Sequence, residues 1–370
     1  MKLVVLGLSL SSSWGNGHAT TFRALLKSFA RRGHGVLFLE RDVPWYASQR
    51  DLVDPDWCRL AFYADLADLE RWRPQIAAAD AVMIGSYVPD GVEVARRVQG
   101  WARGATAFYD IDTPVTLAKL ERGDFAYLSP DVIPHFDLYL SFTGGPTLRQ
   151  IEARFGAVAA RALYCSVDLD LYGPRDVPLR WDLSYLGTYS DDRQQTLDRL
   201  LLEPARRRPD LRFVVAGPQY PASIGWPANV ERIDHCPPAD HAAFYSASRF
   251  TLNVTRADMI RAGWSPSVRL FEAAACATPI ISDRWDGIDT LFAPGREIVL
   301  ADTADDVLAA LDGDAAPMGR AARARIEAAH SADHRAAELE AYLHEAADRP
   351  SVGATSAQAS ARQLARGDAR

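Results

Sequence analysis

Short apolar runs of β-forming residues alternate with segments of helical character along this chain, and the order starts again near its middle. In the first half, such runs predict strands at residues 3–8, 36–40, 81–84, 105–110 and 138–142. The segments between them are long enough for helices, as where Phe22, Leu25 and Phe29 share one face. Strands separated by helices pair in parallel, because a parallel pair needs a long crossover connection. The first half therefore predicts an α/β unit.

The same pattern restarts after a polar, proline-containing stretch from Cys165 to Arg180. Further strands are predicted at residues 183–186, 211–216, 229–233, 250–254 and 279–282, and helices at 192–202 and 266–276. A chain of 370 residues also exceeds the usual size of one domain. We therefore predict two Rossmann-like parallel-sheet domains that face each other across a cleft, because open parallel sheets bind ligands outside the carboxyl ends of their strands.

The expected domain boundaries follow from this order. The first domain is predicted at residues 1–165, a linker at 166–181 and the second domain at 182–317. Residues 318–347 are rich in Ala, Arg and Glu and predict a helical segment. Residues 348–370 contain few apolar side chains and are predicted to be disordered.

Composition argues against several classes of partner. The formal net charge of -7 speaks against nucleic acid and anionic membranes, because both require a dense cationic surface. The 4 cysteines lie far apart without a Cys-x-x-Cys pair, which predicts reduced thiols in a cytoplasmic protein. No run reaches the ~20 apolar residues of a membrane-spanning helix. The apolar start of the chain is predicted to be a strand rather than a signal peptide.

The first candidate site is the loop from Ser11 to His18, between the first predicted strand and helix. Gly15 and Gly17 allow the backbone to approach a ligand closely, and His18 stands at the start of the helix. The loop is not a dinucleotide fingerprint, because Thr20 occupies the place of the third glycine. A plain tight turn with a capping histidine is the alternative interpretation.

The second candidate site is formed by Asp110 and Asp112 at the end of a predicted strand. In extended backbone both side chains face the same way, so either could act as a base or orient a histidine. Alternatively, Asp112 caps a helix that begins at Thr113 and Pro114. We infer no metal from a single Asp-x-Asp.

The third candidate site lies in the segment from Ser265 to Cys276. Ser265 is predicted to cap a helix, which places it on one stripe with Arg269 and Glu272. The acid could accept hydrogen bonds from ribose hydroxyls, and the arginine could meet a phosphate. The alternative is an exposed Arg269–Glu272 pair, worth only a few tenths of a kcal/mol.

Further donor-binding candidates stand on loops or helix starts of the second half. Arginines there could meet a diphosphate, whereas each one taken alone could equally be a solvated side chain. These candidates, with the serine and glycine at two helix starts, are Arg193, Arg256, Arg261, Ser267 and Gly287.

Together these segments resemble the GT-B glycosyltransferases, and among them the CgeB-like group of the spore maturation protein type. The resemblance covers nearly the whole chain to about residue 345. Its strongest carriers are Ser265–Cys276 with Pro279 and Asp283, then Pro294–Glu297, Val167–Pro174 and His330–Arg335. It implies transfer of a sugar from a nucleoside diphosphate sugar to a hydroxyl of an unidentified glycan, protein or small molecule. It also implies that the second domain holds the donor, without a cofactor or a tightly bound metal.

The resemblance implies roles for single residues as well. Glu272 looks like the second Glu of the E-x7-E signature, which contacts the donor ribose. Trp264 stands where many retaining enzymes have the first Glu, so the stereochemical outcome stays open. The loop before the first helix is also similar to that of inverting GT-B enzymes, in which a histidine is the base and an aspartate orients it. His18 with Asp112, or with Asp110, would take those parts.

Two other functions are compatible with this sequence. A nucleotide-sugar epimerase or hydrolase of the same fold would need the same two domains and the same diphosphate site. A non-catalytic sugar-nucleotide-binding homologue would explain the absence of the first Glu.

Overall fold

The computed structural model of the chain describes residues 1–14 and 17–349, which form two compact units. The first unit contains Met1–Tyr164 and the segment that begins at Arg335, and the second contains Cys165–His334. The predicted tail lies outside the described residues, apart from its first two positions. Between β-strands that end at residue 162 and begin at residue 181, the described chain has neither helix nor strand, and this stretch is grouped almost wholly with the second unit.

The first unit is built on a sheet of 7 strands in the order β3-β2-β1-β4-β5-β6-β7. All neighbouring strands are parallel. The strands are β1 (Lys2–Gly7), β2 (Gly35–Arg41), β3 (Arg59–Tyr63), β4 (Ala81–Gly85), β5 (Ala105–Asp110), β6 (Leu138–Ser141) and β7 (Ala160–Ala162). Sequence reasoning missed the edge strands β3 and β7, because both are only partly buried and lack the continuous apolar run of the central strands.

Helices cover both faces of this sheet. They are α1 (Gly17–Arg31), α2 (Pro44–Ala47), α3 (Leu66–Leu69), α4 (Arg73–Ala77), α5 (Gly91–Trp101), α6 (Thr113–Glu121) and α7 (Pro146–Phe155), with 3-10 turns at Glu70–Trp72 and Ile133–His135. On one face Val4 of β1 packs with Val94 of α5. On the other face Val5 packs with Phe22 of α1, in the predicted amphipathic stripe. Successive residues of β1 thus enter opposite cores, as the period of a strand requires.

The second unit is built on a sheet of 6 parallel strands in the order β10-β9-β8-β11-β12-β13. The strands are β8 (Trp181–Leu186), β9 (Phe213–Ala216), β10 (Val230–Ile233), β11 (Ser248–Asn253), β12 (Ile280–Ser282) and β13 (Val299–Leu300). The predicted α/β class with two Rossmann-like parallel sheets is confirmed.

Of the helices of the second unit, the two predicted at residues 192–202 and 266–276 are present with different ends. The helices of this unit are α8 (Asp191–Leu197), α9 (Glu203–Arg207), α10 (His241–Ser246), α11 (Ala257–Ala262), α12 (Val268–Ala275), α13 (Ile288–Leu291), α14 (Ala304–Leu311) and α15 (Ala316–Ala329), with a π-helical turn at Asp198–Leu202 and a 3-10 turn at Pro238–Asp240. The predicted cap at Ser265 is wrong, because α12 begins at Val268 and Ser267 occupies the N-cap position.

The predicted C-terminal helical segment consists of two helices. The first is α15, and the second is α16 (Ala332–Asp348). From Arg335 onward α16 belongs to the first unit, where Leu339 and Leu343 pack in the same core as Phe22. The segment is therefore shared between the units.

Each strand order contains one switch point, where the loops of two adjacent strands leave in opposite directions. In the first sheet it lies between β1 and β4, and in the second between β8 and β11. Open parallel sheets bind ligands in the crevice at this point. In the part of the chain that the structure describes, no helix combines the length and apolar character needed to cross a membrane.

A pair of glycines provides a test of the packing in the first unit. A Cβ atom on Gly104, just before β5, would lie 2.2 Å from the carbonyl oxygen of Asp80, whereas one on Gly100 in α5 would meet nothing within 4 Å. We expect Gly104→Ala to lower the free energy of unfolding by about 1–3 kcal/mol, as overpacking does. Gly100→Ala should raise it by about 0.5–1 kcal/mol, because alanine favours a helix. Urea unfolding followed by circular dichroism measures both, and equal stability of the two variants would contradict the packing.

Candidate active site

A buried carboxylate fixes the loop after β1. Glu40 in β2 is 1% exposed. One of its oxygens accepts the backbone N–H groups of Leu10 at 2.6 Å and Ser11 at 2.9 Å. The other accepts the hydroxyls of Ser11 at 2.6 Å and Ser9 at 3.1 Å. Sequence reasoning missed Glu40, although an acid at the end of an apolar strand is a signal that such a residue has partners in the core.

The same loop is held from its outer side. The Ser12 hydroxyl donates to the carbonyl oxygen of Gln49 at 2.8 Å, and Arg23 of α1 forms an ion pair with Asp51 at 2.5 Å. Gly15 of the predicted ligand loop lies outside the described residues. Gly17 is the first residue of α1 and His18 the second. The loop therefore delivers His18 to the switch point of the first sheet.

His18 lies against Tyr87, which follows β4 on the other side of the switch point. The two rings meet edge to face, with centroids 5.2 Å apart. Burial lowers the pKa of His18 to about 4. The imidazole is therefore neutral at pH 7 and able to accept a proton. The Tyr87 hydroxyl donates to Oδ2 of Asp112 at 3.0 Å, so one tyrosine contacts both residues of the predicted base pair.

Asp110 and Asp112 have different surroundings. Asp110 is fully buried and accepts the hydroxyls of Tyr139 at 2.6 Å and Thr116 at 2.7 Å. Burial raises its pKa to about 6. Asp112 occupies the N-cap position of α6, but its side chain makes no capping hydrogen bond there. Asp112 is thus the acid that the structure brings together with the histidine, through Tyr87.

Arg269 of α12 lies beneath the carboxyl ends of β8 and β11. Its Nε donates to the carbonyl oxygen of Leu186 at 2.5 Å, and Nη1 donates to Oδ1 of Asn253 at 3.1 Å. The guanidinium carbon lies 4.9 Å from the centre of the Tyr185 ring. Arg269 is 9% and Glu272 5% exposed, so the alternative of an exposed ion pair is wrong.

Arg193 adjoins this cation at the switch point. Its Nη2 donates to the carbonyl oxygen of Thr188 at 2.5 Å, while Nε is buried and has no hydrogen-bond partner among the described residues. Burial, followed by the positive charges of Arg269 and Arg256, lowers the pKa of Arg193. The structure therefore brings these three predicted arginines together. Arg261 is instead exposed on α11 and pairs with Asp258.

Gly187, at the end of β8, makes room for this cluster. A Cβ atom at this position would lie 2.8 Å from Nη2 of Arg269. The carbonyl oxygen of Gly187 accepts the Tyr220 hydroxyl at 3.1 Å, and the Tyr220 ring carries the Arg232 guanidinium on one face, 4.3 Å from the ring centre. An aromatic group thus borders the arginines, and sequence reasoning did not include it.

Glu272 is enclosed by groups that can donate hydrogen bonds. Its Oε2 accepts the Tyr245 hydroxyl at 3.3 Å and lies 3.7 Å from Nδ1 of His241. The Tyr172 hydroxyl lies 3.4 Å from the same nitrogen. Burial alone would raise the pKa of Glu272, but hydrogen bonding and the charge of His241 outweigh it and hold the pKa below its usual value. The carboxylate is therefore ionised at neutral pH, although it is buried.

The remaining donor-binding candidates occupy the turn before α12 and the turn before α13. The Ser267 hydroxyl donates to Oδ1 of Asn253 at 2.7 Å, the oxygen that also accepts from Arg269. Ser265 is 2% exposed. Gly287 has a φ of 90°, and a Cβ atom there would lie 2.4 Å from the indole of Trp264. The structure thus explains Gly287 by its packing against Trp264.

The described residues contain no group of three His, Cys, Asp or Glu side chains that could hold a metal ion.

Comparison with known proteins relates this architecture to enzymes. Residues 193–341, most of the second unit, match a family described as "Glycosyl transferase-like". No curated protein sequence matches the chain.

Solved structures of similar fold cover nearly the whole chain. Anabaena Alr3699/HepE in complex with UDP is 13% identical, with a TM-score of 0.69 over 93% of this chain and 100% of that one. Sucrose-phosphate synthase from Thermosynechococcus elongatus is 14% identical, with a TM-score of 0.67 over 93% and 99%. The T4 phage β-glucosyltransferase is 11% identical, with a TM-score of 0.60 over 94% and 100%. The fold is that of the GT-B glycosyltransferases.

Replacement of Glu40 tests how the loop before His18 is held. Glu40→Ala leaves two buried N–H groups and two hydroxyls without their acceptor, so we expect the free energy of unfolding to fall by about 3 kcal/mol. Glu40→Gln should lose less than half as much, because its amide oxygen still accepts from Leu10 and Ser11. Urea unfolding measures the difference, and an alanine variant as stable as the parent protein would disprove the role of the carboxylate.

Proposed function

We propose that this chain is a glycosyltransferase that moves a sugar from a nucleoside diphosphate sugar to a hydroxyl of an acceptor. The observation that carries the proposal is the cluster of Arg193, Arg256 and Arg269 at the switch point of the second sheet. Arg269 lies on the same helix, α12, as the buried, ionised Glu272. The match of residues 193–341 to a glycosyl transferase-like family supports it. So do the structures of a similar protein, Anabaena HepE, in complex with UDP and with UDP-glucose.

The arginine cluster fits a diphosphate. Arg193 has a buried N–H without a partner among the described residues, and leaving such a donor unpaired is unfavourable. A diphosphate oxygen would accept this bond and reduce the mutual repulsion of the cations. In this proposal the arginines stabilise the charge that develops on the leaving diphosphate, so the reaction needs no tightly bound metal.

Glu272 fits the ribose of the same donor. An ionised carboxylate only accepts hydrogen bonds, and a ribose offers two hydroxyl donors. The Tyr220 ring, which borders the arginines, fits the base. Binding of phosphate, ribose and base by one unit agrees with the family match to that unit.

His18 and Asp112 supply the acid–base chemistry in this proposal. The acceptor oxygen attacks the anomeric carbon, the bond from that carbon to the diphosphate oxygen breaks, and its electron pair leaves with the diphosphate. His18 takes the proton of the acceptor hydroxyl, since its imidazole is neutral. In-line attack of this kind inverts the anomeric configuration, in keeping with Trp264 in place of the first Glu.

A cytoplasmic location belongs to the same proposal. It is supported by the four cysteines, which are all free in the structure, because reduced thiols are typical of that compartment.

Donor binding tests the arginine cluster. We expect UDP, GDP or dTDP, or one of their sugars, to raise the melting temperature of the protein, and Arg193→Gln to weaken binding of that nucleotide about 10- to 100-fold, the effect of one or two charged hydrogen bonds. Arg261→Gln is the matched control and should bind within about twofold of the parent, because Arg261 is exposed and paired with Asp258. Isothermal titration calorimetry measures the affinities. Equal affinities of both variants would refute the assignment.

Loss of the base tests the chemistry. We expect His18→Ala to lower kcat about 10²- to 10⁴-fold with unchanged donor affinity, whereas His135→Ala, on an exposed turn, keeps full activity. Because burial lowers the pKa of His18 to about 4, the neutral base persists down to that pH, and kcat/KM should fall only as pH approaches 4. Release of nucleoside diphosphate, with and without acceptor, provides the assay. An acid limb near 6.5, or sugar conversion that needs no acceptor, would contradict the proposed reaction.

A further inference from the structure

Tyr87 is held in a backbone conformation that tyrosine rarely adopts. Its φ is 64°, in the left-handed region, and Asp90 three residues later has a φ of 54°. Residues in this region cost free energy and persist where the surrounding structure requires them, often at functional sites. The preceding residue, Ser86, is fixed by a hydrogen bond from its N–H to the carbonyl oxygen of Tyr109 at 3.0 Å. The strained turn therefore has a fixed position at the end of β4.

The Tyr87 side chain contacts both residues to which the proposed function gives the proton transfer. Its ring meets the His18 ring at an interplanar angle of 77°. Its hydroxyl donates to Oδ2 of Asp112 at 3.0 Å. Burial, and then the negative charge of Asp112, raises the pKa of Tyr87. The hydroxyl therefore keeps its proton at neutral pH and donates a hydrogen bond to this carboxylate.

A group of hydrogen-bonded side chains lies next to the ring. The Tyr127 ring lies 4.6 Å from that of Tyr87, centre to centre. The Tyr127 hydroxyl is 2.8 Å from the Thr116 hydroxyl, which donates to the buried Asp110 at 2.7 Å. Asp110 is thus the inner end of a polar network, and Tyr87 is its outer end at the candidate site. Asp110 therefore accepts hydrogen bonds within this network and does not act as the base.

We infer that Tyr87 is a positioning residue of the proposed transferase, which holds the Asp112 carboxylate with its hydroxyl and the His18 imidazole with its ring. The inference rests on the proposed function, because positioning has meaning only where His18 acts as a base. Tyr87 belongs to the turn after β4, so three strand ends, β1, β4 and β5, determine where the base stands.

Tyr87→Phe tests this role, since it keeps the ring against His18 and removes only the hydrogen bond to Asp112. We expect kcat to fall about tenfold with the donor affinity and KM unchanged, the loss of roughly one hydrogen bond to a charged group. The ¹⁵N resonances of the His18 ring should shift. The acid limb of kcat/KM should move to higher pH, because the Asp112 carboxylate without its donor favours the imidazolium more strongly.

Tyr63→Phe is the matched control. Tyr63 is buried in the same unit, and its hydroxyl has no hydrogen-bond partner among the described residues. Its loss should leave kcat and the His18 resonances as they are. A merely structural role of Tyr87 would change the melting temperature but not the His18 spectrum.

A double-mutant cycle with Asp112→Asn separates the possible outcomes. If Tyr87 acts through Asp112, the double variant loses no more activity than Asp112→Asn alone, and additive losses would overturn the inference. Parent-like kcat and His18 resonances in Tyr87→Phe, with His18→Ala inactive, would also overturn it while the proposed function stands. Full activity of His18→Ala would instead remove the proposed base, and with it the function that the inference needs.

Discussion

The buried guanidinium of Arg269 is the contact on which the site of the second unit depends. It lies where β8 and β11 end, and it bonds to the carbonyl oxygen of Leu186 and to the side chain of Asn253. A buried charge is tolerated only when such bonds compensate its lost hydration. One side chain thereby joins two strands to α12, and the same Asn253 oxygen fixes Ser267. Gly187 leaves space beside this guanidinium, because a Cβ atom there would lie 2.8 Å from Nη2 of Arg269.

A buried side chain also organises the first unit, but here it is the carboxylate of Glu40. Where β1 ends, the backbone N–H groups of Leu10 and Ser11 have no strand partner, and the carboxylate of Glu40 accepts them. Buried backbone donors are almost always paired, so a loop at a switch point needs a buried acceptor from a neighbouring element. The first part of the loop before His18 is therefore held by a neighbouring strand of the same sheet. A site on such loops has its geometry before a ligand arrives.

The sequence allowed most strands and their division between two parallel sheets to be predicted, because apolar periodicity is a local property. It did not reveal the edge strands β3, β7 and β13, which are partly buried and give a weaker signal. It placed His18 and Arg269 at strand ends, but Tyr87 and Glu40 were missed, since their partners lie far along the chain and no spacing rule connects them. The predicted cap at Ser265 was wrong for a related reason. Asn253 of β11 determines the turn before α12, and the local propensities of the turn residues give no information about so distant a partner.

Burial disfavours the charged form of both ionisable groups that the proposed reaction uses, but the two groups end in different charge states. His18 is buried, and its pKa falls to about 4, so it stays neutral. Glu272 is buried too, but His241 stabilises its charge and holds its pKa low. Burial alone would neutralise both groups, and a neutral acid would accept ribose hydroxyls less well. The nearby histidine is therefore what allows one protein to present a neutral base and a charged acceptor at the same pH.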